Sequence, residues 1–425
     1  MLKGLREDYL HFLFEKRLLG SSFTTVDGDQ LDIIDFGEYY LNAGPDFLDC
    51  IVELNGQKWA GPIEFHVRAS DWRRHGHQDD PAYSNVIAHF VYDFDENVQI
   101  NQFQLPTVEI KDRLDNRHYE KFKGIYNNKN KIPCSLQIKS VAQEIIEREK
   151  ESRLHKRLFL KSVEILRLLE RYDGDLTKLK RVLLARTFGG KVNQLPFEML
   201  VEKIENREIR RFMEDDFEML TYLFGRSGLL ESSIREDKYI SMMKNTYAHQ
   251  CNLFGNKAVE LGWKYSRMRP SGFPDIRLAQ FSKVLSHIQT MPDWNIHFTL
   301  ESFQSWLSFE LDSYWKSRYR LGGECKKKQQ IQLSHGFINV LIINAVVPYM
   351  YAIGSVQGNN SLISKSLHLL RSLPAEDNSV VRQWNSIGVN IASSYDSQSF
   401  LALQKQGCNQ KKCLLCGIGR EVLNK

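Results

Sequence analysis

Asp46 sits directly after Pro45, and Glu64 is followed two positions later by His66. Two carboxylates on neighbouring strands are a natural seat for a hard divalent cation, which prefers oxygen ligands and keeps part of its water shell. Strand alternation puts Glu64, His66 and Arg68 on one face and Ile63, Phe65 and Val67 on the other. The apolar face is expected to pack into a core while the carboxylate and the imidazole look outward together, beside the strand that starts at Asp46. In that arrangement Asp46 and Glu64 would hold Mg²⁺ or Mn²⁺, His66 would orient the attacking water, and Arg68 would steady a phosphate. Glu7 or Glu15, on the first helix, would complete the shell.

A second constellation follows at once, His75-x-His77-x-Asp79 in a polar stretch. Alternating histidines on a loop suit zinc, so a zinc hydrolase built on His75, His77 and Asp79 is a rival reading, and a solvated polar loop is the structural one. His89, among apolar residues, reads as a core histidine. Far along the chain, Cys408-x₄-Cys413-x₂-Cys416 gathers three soft ligands able to hold zinc or an iron–sulfur cluster. The fourth ligand is not local, and Cys251, Cys325 and His249 are all candidates. Arg267, Arg269 and Arg277, with Tyr265 and Phe273 among them, could grip a phosphate backbone and stack on bases. Tyr314 to Arg320 and the basic run Lys326–Lys328 mix charge and aromatics in the same manner. Packed aromatics with snorkelling arginines are the alternative.

The elements that must carry these residues fall into two kinds. Residues 5–19 have the apolar spacing of an amphipathic helix. Strand character follows at Leu31–Phe36, at Phe47–Leu54 (ended by the turn pair Asn55-Gly56), at Lys58–Ala69 and at Val86–Phe94, with Gln102–Ile110 extending the sheet. A short helical connection is expected within Ser70–Asn85. From Ala142 onward helical periods dominate, including Gly336–Ile353 and Ser361–Leu373. This gives an α+β protein: an α/β domain over 1–120, a linker over 121–140, and a mainly helical region over 141–425 that ends in the cysteine cluster.

Charge divides along the same line. Residues 1–120 hold 11 Lys+Arg against 22 Asp+Glu, and the remainder holds 46 against 30. An acidic module joined to a basic one suits a cation-binding core beside a polyanion-binding arm, or two complementary domains that dock. No run of 18 apolar residues occurs, so no membrane span is expected, and Val340–Tyr351 reads as a buried helix. A charged N-terminus without an apolar core and seven cysteines without a disulfide framework suggest a cytoplasmic setting.

The Pro45-Asp46 and Glu64-x-His66 pieces, in the order helix, three strands, helix, strand, resemble the PD-(D/E)xK nuclease core. That resemblance implies a restriction-endonuclease-like fold and metal-dependent cutting of DNA or RNA. His66 departs from it, because lysine usually stands there. Some such nucleases also carry an iron–sulfur staple of one upstream and three downstream cysteines, a layout similar to the one here with different spacing. Ala43-Gly44-Pro45-Asp46-Phe47, Glu64-x-His66 through His77, Leu223–Leu230, Arg269–Gln280 and the closing cysteines with Gly417-Ile418-Gly419 together resemble a bacterial family catalogued as domain of unknown function 2851. That family implies no activity. The expectation is therefore a nucleic-acid-binding protein that hydrolyses phosphodiester bonds, with a non-catalytic binder on a decayed nuclease fold or the zinc hydrolase as rivals.

Overall fold

The computed structural model describes residues 4–40, 43–255, 257–296, 298–326 and 328–424, so Lys327 of the basic run lies outside the described residues. The chain is mixed α+β and forms two compact units. One joins Met1–Glu149 to Leu403–Lys425, and the other is Lys150–Ala402.

In the first unit, helix α1 (Glu7–Glu15) precedes β1 (Ser22–Thr24), β2 (Gln30–Asp35), β3 (Glu38–Tyr39), β4 (Phe47–Leu54) and β5 (Gln57–Arg68). A short helix α2 (Asp71–Arg74) then leads to β6 (Ala88–Asp93), the hairpin β7 (Gln99–Ile100) and β8 (Phe103–Gln104), and β9 (Thr107–Glu109). The sheet order is β1-β2-β4-β5-β6-β9, with β3 also on β4. β2, β4 and β5 run antiparallel, whereas β5–β6 and β6–β9 are parallel. The sheet curls toward a barrel, since the Val26 amide just after β1 donates to Thr107 O in β9 (2.8 Å).

Local chemistry explains why β4 and β5 meet as they do. Asn55 and Gly56 both take positive φ (48° and 82°), the geometry of a tight hairpin turn. Near its start β4 carries a bulge at Asp49 (φ 57°), where the register with β5 shifts. Gly37 lies against that bulge so closely that a Cβ would sit 2.0 Å from Leu48 O, and only glycine fits. The bulge re-aims the strand's head and so places Asp46. One face of the sheet is filled by aromatic rings: Phe14 of α1 lies 4.8 Å from Phe47 and 5.0 Å from Phe65, and Phe65 stacks on Phe90 (5.1 Å). The opposite face of β5 is roofed by residues 70–87, pinned by a small apolar cluster of Trp72, Tyr83, Val86, Val98 and Leu105.

Residues 121–140, expected as a linker, are structured. They contain the end of helix α3 (Asn116–Tyr126), whose Tyr119, Phe122 and Ile125 are buried, and beyond it Ile132, Cys134 and Ile138 are buried too. The C-terminal helix α16 (Gly417–Asn424) also belongs to this unit and packs on α3. The polar run from Asn127 to Lys131 hid these apolar positions from a composition-based reading.

The second unit is helical around one large apolar cluster. Its longest members include Leu176–Glu202, which breaks at Gly190–Asn193 and carries Pro196 inside, and Lys238–Phe254. The segment His335–Gln357, helical with a π turn at Ile342–Val346, contains an 18-residue window of mean hydropathy 1.7 and is long and apolar enough to cross a membrane. Two-thirds of that window (67%) is buried within the protein, as befits the core helix expected around Val340–Tyr351.

Candidate metal centre

Glu64 and His66 do not look outward. Both are buried, at 5% and 1% exposure, because the 70–87 segment folds over the face expected to meet solvent. Beneath that roof Glu64 serves two groups at once. Its Oε2 accepts the Asp46 amide (3.0 Å), and its Oε1 lies 3.4 Å from His77 Nε2 and 3.7 Å from His66 Nε2. His66 Nε2 is in turn 3.1 Å from His75 Nδ1. The ligand atoms of His66, His75 and His77 all lie within 4.8 Å of one another. Ligands about 2.1 Å from one tetrahedral ion stand about 3.4 Å apart. The spacings 3.1, 3.4 and 3.7 Å bracket that edge. The three imidazoles are thus already gathered at the scale of a single transition-metal ion, and the Glu64 carboxylate lies beside two of them.

The surroundings hold His66 and His77 in the form a metal requires. Burial drives the His66 imidazole far below its usual range, and His89, His77 and His75 push the same way. His89 is lowered to about 3 by burial and by His77. His77 is lowered chiefly by burial, against the pull of Asp46, Asp80 and Glu7. Neutral imidazole is the ligating form. His66 Nδ1 pairs with His89 Nε2 (2.8 Å), so that bond fixes the tautomers of both rings together. Tyr83 stacks on His77 at 3.8 Å, and Trp72 meets both His77 and His89 edge to face at 5.3 Å. These aromatic walls keep the imidazoles in place. Glu64 is raised above the usual carboxylate range by burial and, next, by the charge of Asp46.

Asp46 is anchored rather than open. Its Oδ2 accepts the Phe65 amide (2.9 Å) and lies 3.0 Å from His11 Nε2, and His11 Nδ1 faces the Tyr39 hydroxyl (3.1 Å). Burial opposes charge on His11, yet Asp46, with Glu64 and Glu7 behind it, more than offsets this and raises the imidazole. Of the two helix carboxylates, Glu7 faces this neighbourhood: burial raises it, while His75 and His11 oppose the rise. Glu15 pairs instead with Arg420 (2.7 Å). A cleft of about 620 Å³ opens beside these groups, lined by Arg6, Glu7, His11, Tyr39, Arg68 and Arg74 among others. Arg74 pairs with Asp71 (2.9 Å), whose other oxygen accepts the Arg68 amide (3.1 Å). Asp79 is exposed and bonded by Gln78, outside the histidine group; His66 fills the place that spacing alone gave it. His11 and His89 were not expected here, although the recurrence of histidine at 66, 75, 77 and 89 was a readable signal.

A sequence model of the family described as "Protein of unknown function (DUF2851)" matches residues 7–379. The chain belongs to this family. No curated protein and no solved structure matches it. In this DUF2851 member the matched span takes in every residue of the histidine–carboxylate centre and ends before Cys408.

The second unit's basic residues divide. Arg267 and Arg269 are exposed, Arg267 with φ 61° in a turn. Arg277 lies flat on Phe337, 3.5 Å from the ring centre, and donates to Gln280 (2.9 Å); burial lowers it to about 10. The aromatics named with them are packed: Tyr265 donates to Asp275 (2.6 Å) under Arg320, and Tyr314 stacks on Tyr239 at 4.0 Å under Arg318. Cys413 and Cys416 are buried and Cys408 is half-buried, none of them in a disulfide; Cys251 and Cys325 belong to the second unit.

Proposed function

We propose that the first unit is a metal-dependent phosphodiester hydrolase acting on nucleic acid, with Glu64, His66, His75 and His77 as the metal ligands. The observation that carries the reading is the Glu64 carboxylate, which takes the Asp46 amide on one oxygen and faces two imidazoles with the other. A nitrogen-rich donor set suits Mn²⁺ or Zn²⁺ better than Mg²⁺, which demands oxygen ligands in near-octahedral array. Such an ion supplies a Lewis acid and a water of lowered pKa.

The chain's own residues have separate tasks. His66 is a ligand rather than a base, since both its nitrogens are engaged and burial keeps it neutral. Asp46 braces Glu64 through its backbone amide and, against burial, raises the His11 imidazole. Glu7, raised by burial and facing the same cleft, is the group able to carry a proton to or from a reacting oxygen. Arg68 and Arg74 line the cleft where phosphate oxygens would lie, and exposed Arg267 and Arg269 offer backbone contacts on the second unit. The choice of a phosphodiester substrate draws on topology. An antiparallel β2-β4-β5 set followed by a parallel β6, with Asp46 heading β4 and Glu64 inside β5, is the order of a PD-(D/E)xK core, and reading the fold that way is part of this proposal.

The test is incubation of labelled single- and double-stranded DNA and RNA with the full chain and Mn²⁺ or Zn²⁺, beside Glu64→Gln and His77→Ala. Cleavage by the wild type that both variants lose supports the reading. Salt-sensitive binding without cleavage assigns the chain to non-catalytic recognition, and equal cleavage by all three proteins removes the centre from the chemistry.

A further inference from the structure

Three cysteines within nine residues lack a local fourth. Cys134 lies in the stretch between α3 and residue 143, and the segment carrying Cys408, Cys413 and Cys416 is fastened to both sides of that stretch. Gln404 Nε2 donates to Lys131 O (2.7 Å) before the cysteines begin, and Lys411 Nζ bonds the Tyr126 carbonyl between them. After them, the Gly417 amide donates to Glu149 Oε2 (2.8 Å). Helix α16 closes over the Cys413–Leu415 turn so tightly that a Cβ on Gly419 would stand 2.2 Å from Cys413 O. Cys134, Cys413 and Cys416 are all buried, at 5%, 9% and 7% exposure. The Cys134 thiol lies within the field of Cys413, and Cys413 within that of Cys416. Burial pushes Cys134 and Cys413 up to about 12, so in the absence of a metal both remain protonated thiols.

We infer that Cys134, Cys408, Cys413 and Cys416 form one four-thiolate site that holds an iron–sulfur cluster, independent of the histidine centre. None of the four is in a disulfide. A single zinc ion with bonds of about 2.3 Å would draw its sulfurs to about 3.8 Å apart. Among the described residues, the three-ligand group closed to within 4.8 Å is the histidine trio and not the cysteines. A multi-iron cluster spreads its thiolates more widely and accepts this looser gathering. A cation at Lys411, whose field reaches Cys413, offsets part of the negative charge that four thiolates bring.

The full chain, produced with ample iron and purified without oxygen, is assayed for iron, acid-labile sulfide, zinc and visible charge-transfer absorption. Iron and sulfide in equal amounts with a visible band are expected, both lost in Cys134→Ser and kept in Cys251→Ser. Stoichiometric zinc without iron overturns the assignment, as does a band that survives Cys134→Ser. Should Cys134→Ser fail to fold, thiol labelling of the wild type decides. Cys134 and the three later cysteines should become reactive only once iron is stripped, and modification of Cys134 in the iron-loaded protein overturns the site.

Discussion

Replacing Glu64 by Gln should stabilise the metal-free protein and destabilise the metal-loaded one. The Glu64 carboxyl is held above its usual range by burial and by Asp46. A carboxyl raised in the folded state costs stability as pH climbs past its ordinary value, because the unfolded chain then gives up a proton that the folded one retains. Each unit of elevation is worth about 1.4 kcal/mol. Gln keeps an oxygen for the Asp46 amide and carries no charge. Relief of even one unit at pH 8 then amounts to about 1.4 kcal/mol, or about 3–6 °C in melting temperature for a unit of this size. With metal at a hundredfold its dissociation constant, the wild type gains about 2.7 kcal/mol. A variant bound a hundredfold more weakly gains only about 0.4 kcal/mol. The order of stabilities therefore reverses between chelator and saturating Mn²⁺ or Zn²⁺. Thermal melts of both proteins in both buffers, with a competitive-chelator titration for affinity, measure all four states. Equal metal stabilisation of the two proteins would refute the ligand assignment, and a metal-free Gln variant less stable than wild type would refute the burial argument.

Lys161→Met should stabilise the chain at pH 7 by about 1–3 kcal/mol. Burial lowers Lys161 to about 8 from 10.5, so its cost is fully present below pH 8 and fades as pH rises toward 10.5; urea melts at pH 7 and pH 10 should show the advantage shrinking, and a variant weaker at pH 7 sinks the idea. Gly225→Ala should cost about 1–3 kcal/mol in chemical denaturation, since its Cβ would fall 2.2 Å from the Tyr247 ring; an unchanged midpoint would mean that the two helices do not pack so closely. Arg277→Lys gives up planar stacking on Phe337 and should lower the melting temperature while leaving nucleic-acid affinity alone. Arg267→Ala with Arg269→Ala should do the opposite, weakening binding and flattening its salt dependence in a filter or anisotropy titration.

The strands that carry the centre were legible because their signals are local. The alternation of β5 and the Asn55-Gly56 turn place Phe47–Leu54 and the strand after it within a residue of where they lie. The Pro45-Asp46 and Glu64-x-His66 pieces were legible for the same reason. What covers β5 was not. Trp72, Tyr83 and Val86 are scattered through a polar stretch, and only their joint packing turns an apparently solvent-facing carboxylate into a buried one. The convergence of His66, His75 and His77 depends on that roof, so spacing alone chose Asp79 instead. Cys134 was hidden more thoroughly, since nothing within its own neighbourhood marks it until residues 403–425 arrive beside it.

The first unit is discontinuous along the chain, because Leu403–Lys425 completes a body begun by residues 1–149. During synthesis the early part emerges first, and the whole of Lys150–Ala402 must follow before its last piece exists. The surfaces that α16 covers on α3 and on Ile138–Ser140 therefore stay bare until Lys150–Ala402 has been made. Closing so long a loop adds only a slowly growing entropic cost, but the wait is long, and exposed apolar surface on a nascent chain invites misassembly. Completion of the first unit is thus gated by residues 403–425, and a ribosome that stalls before them releases a first unit with its sheet built and one wall missing.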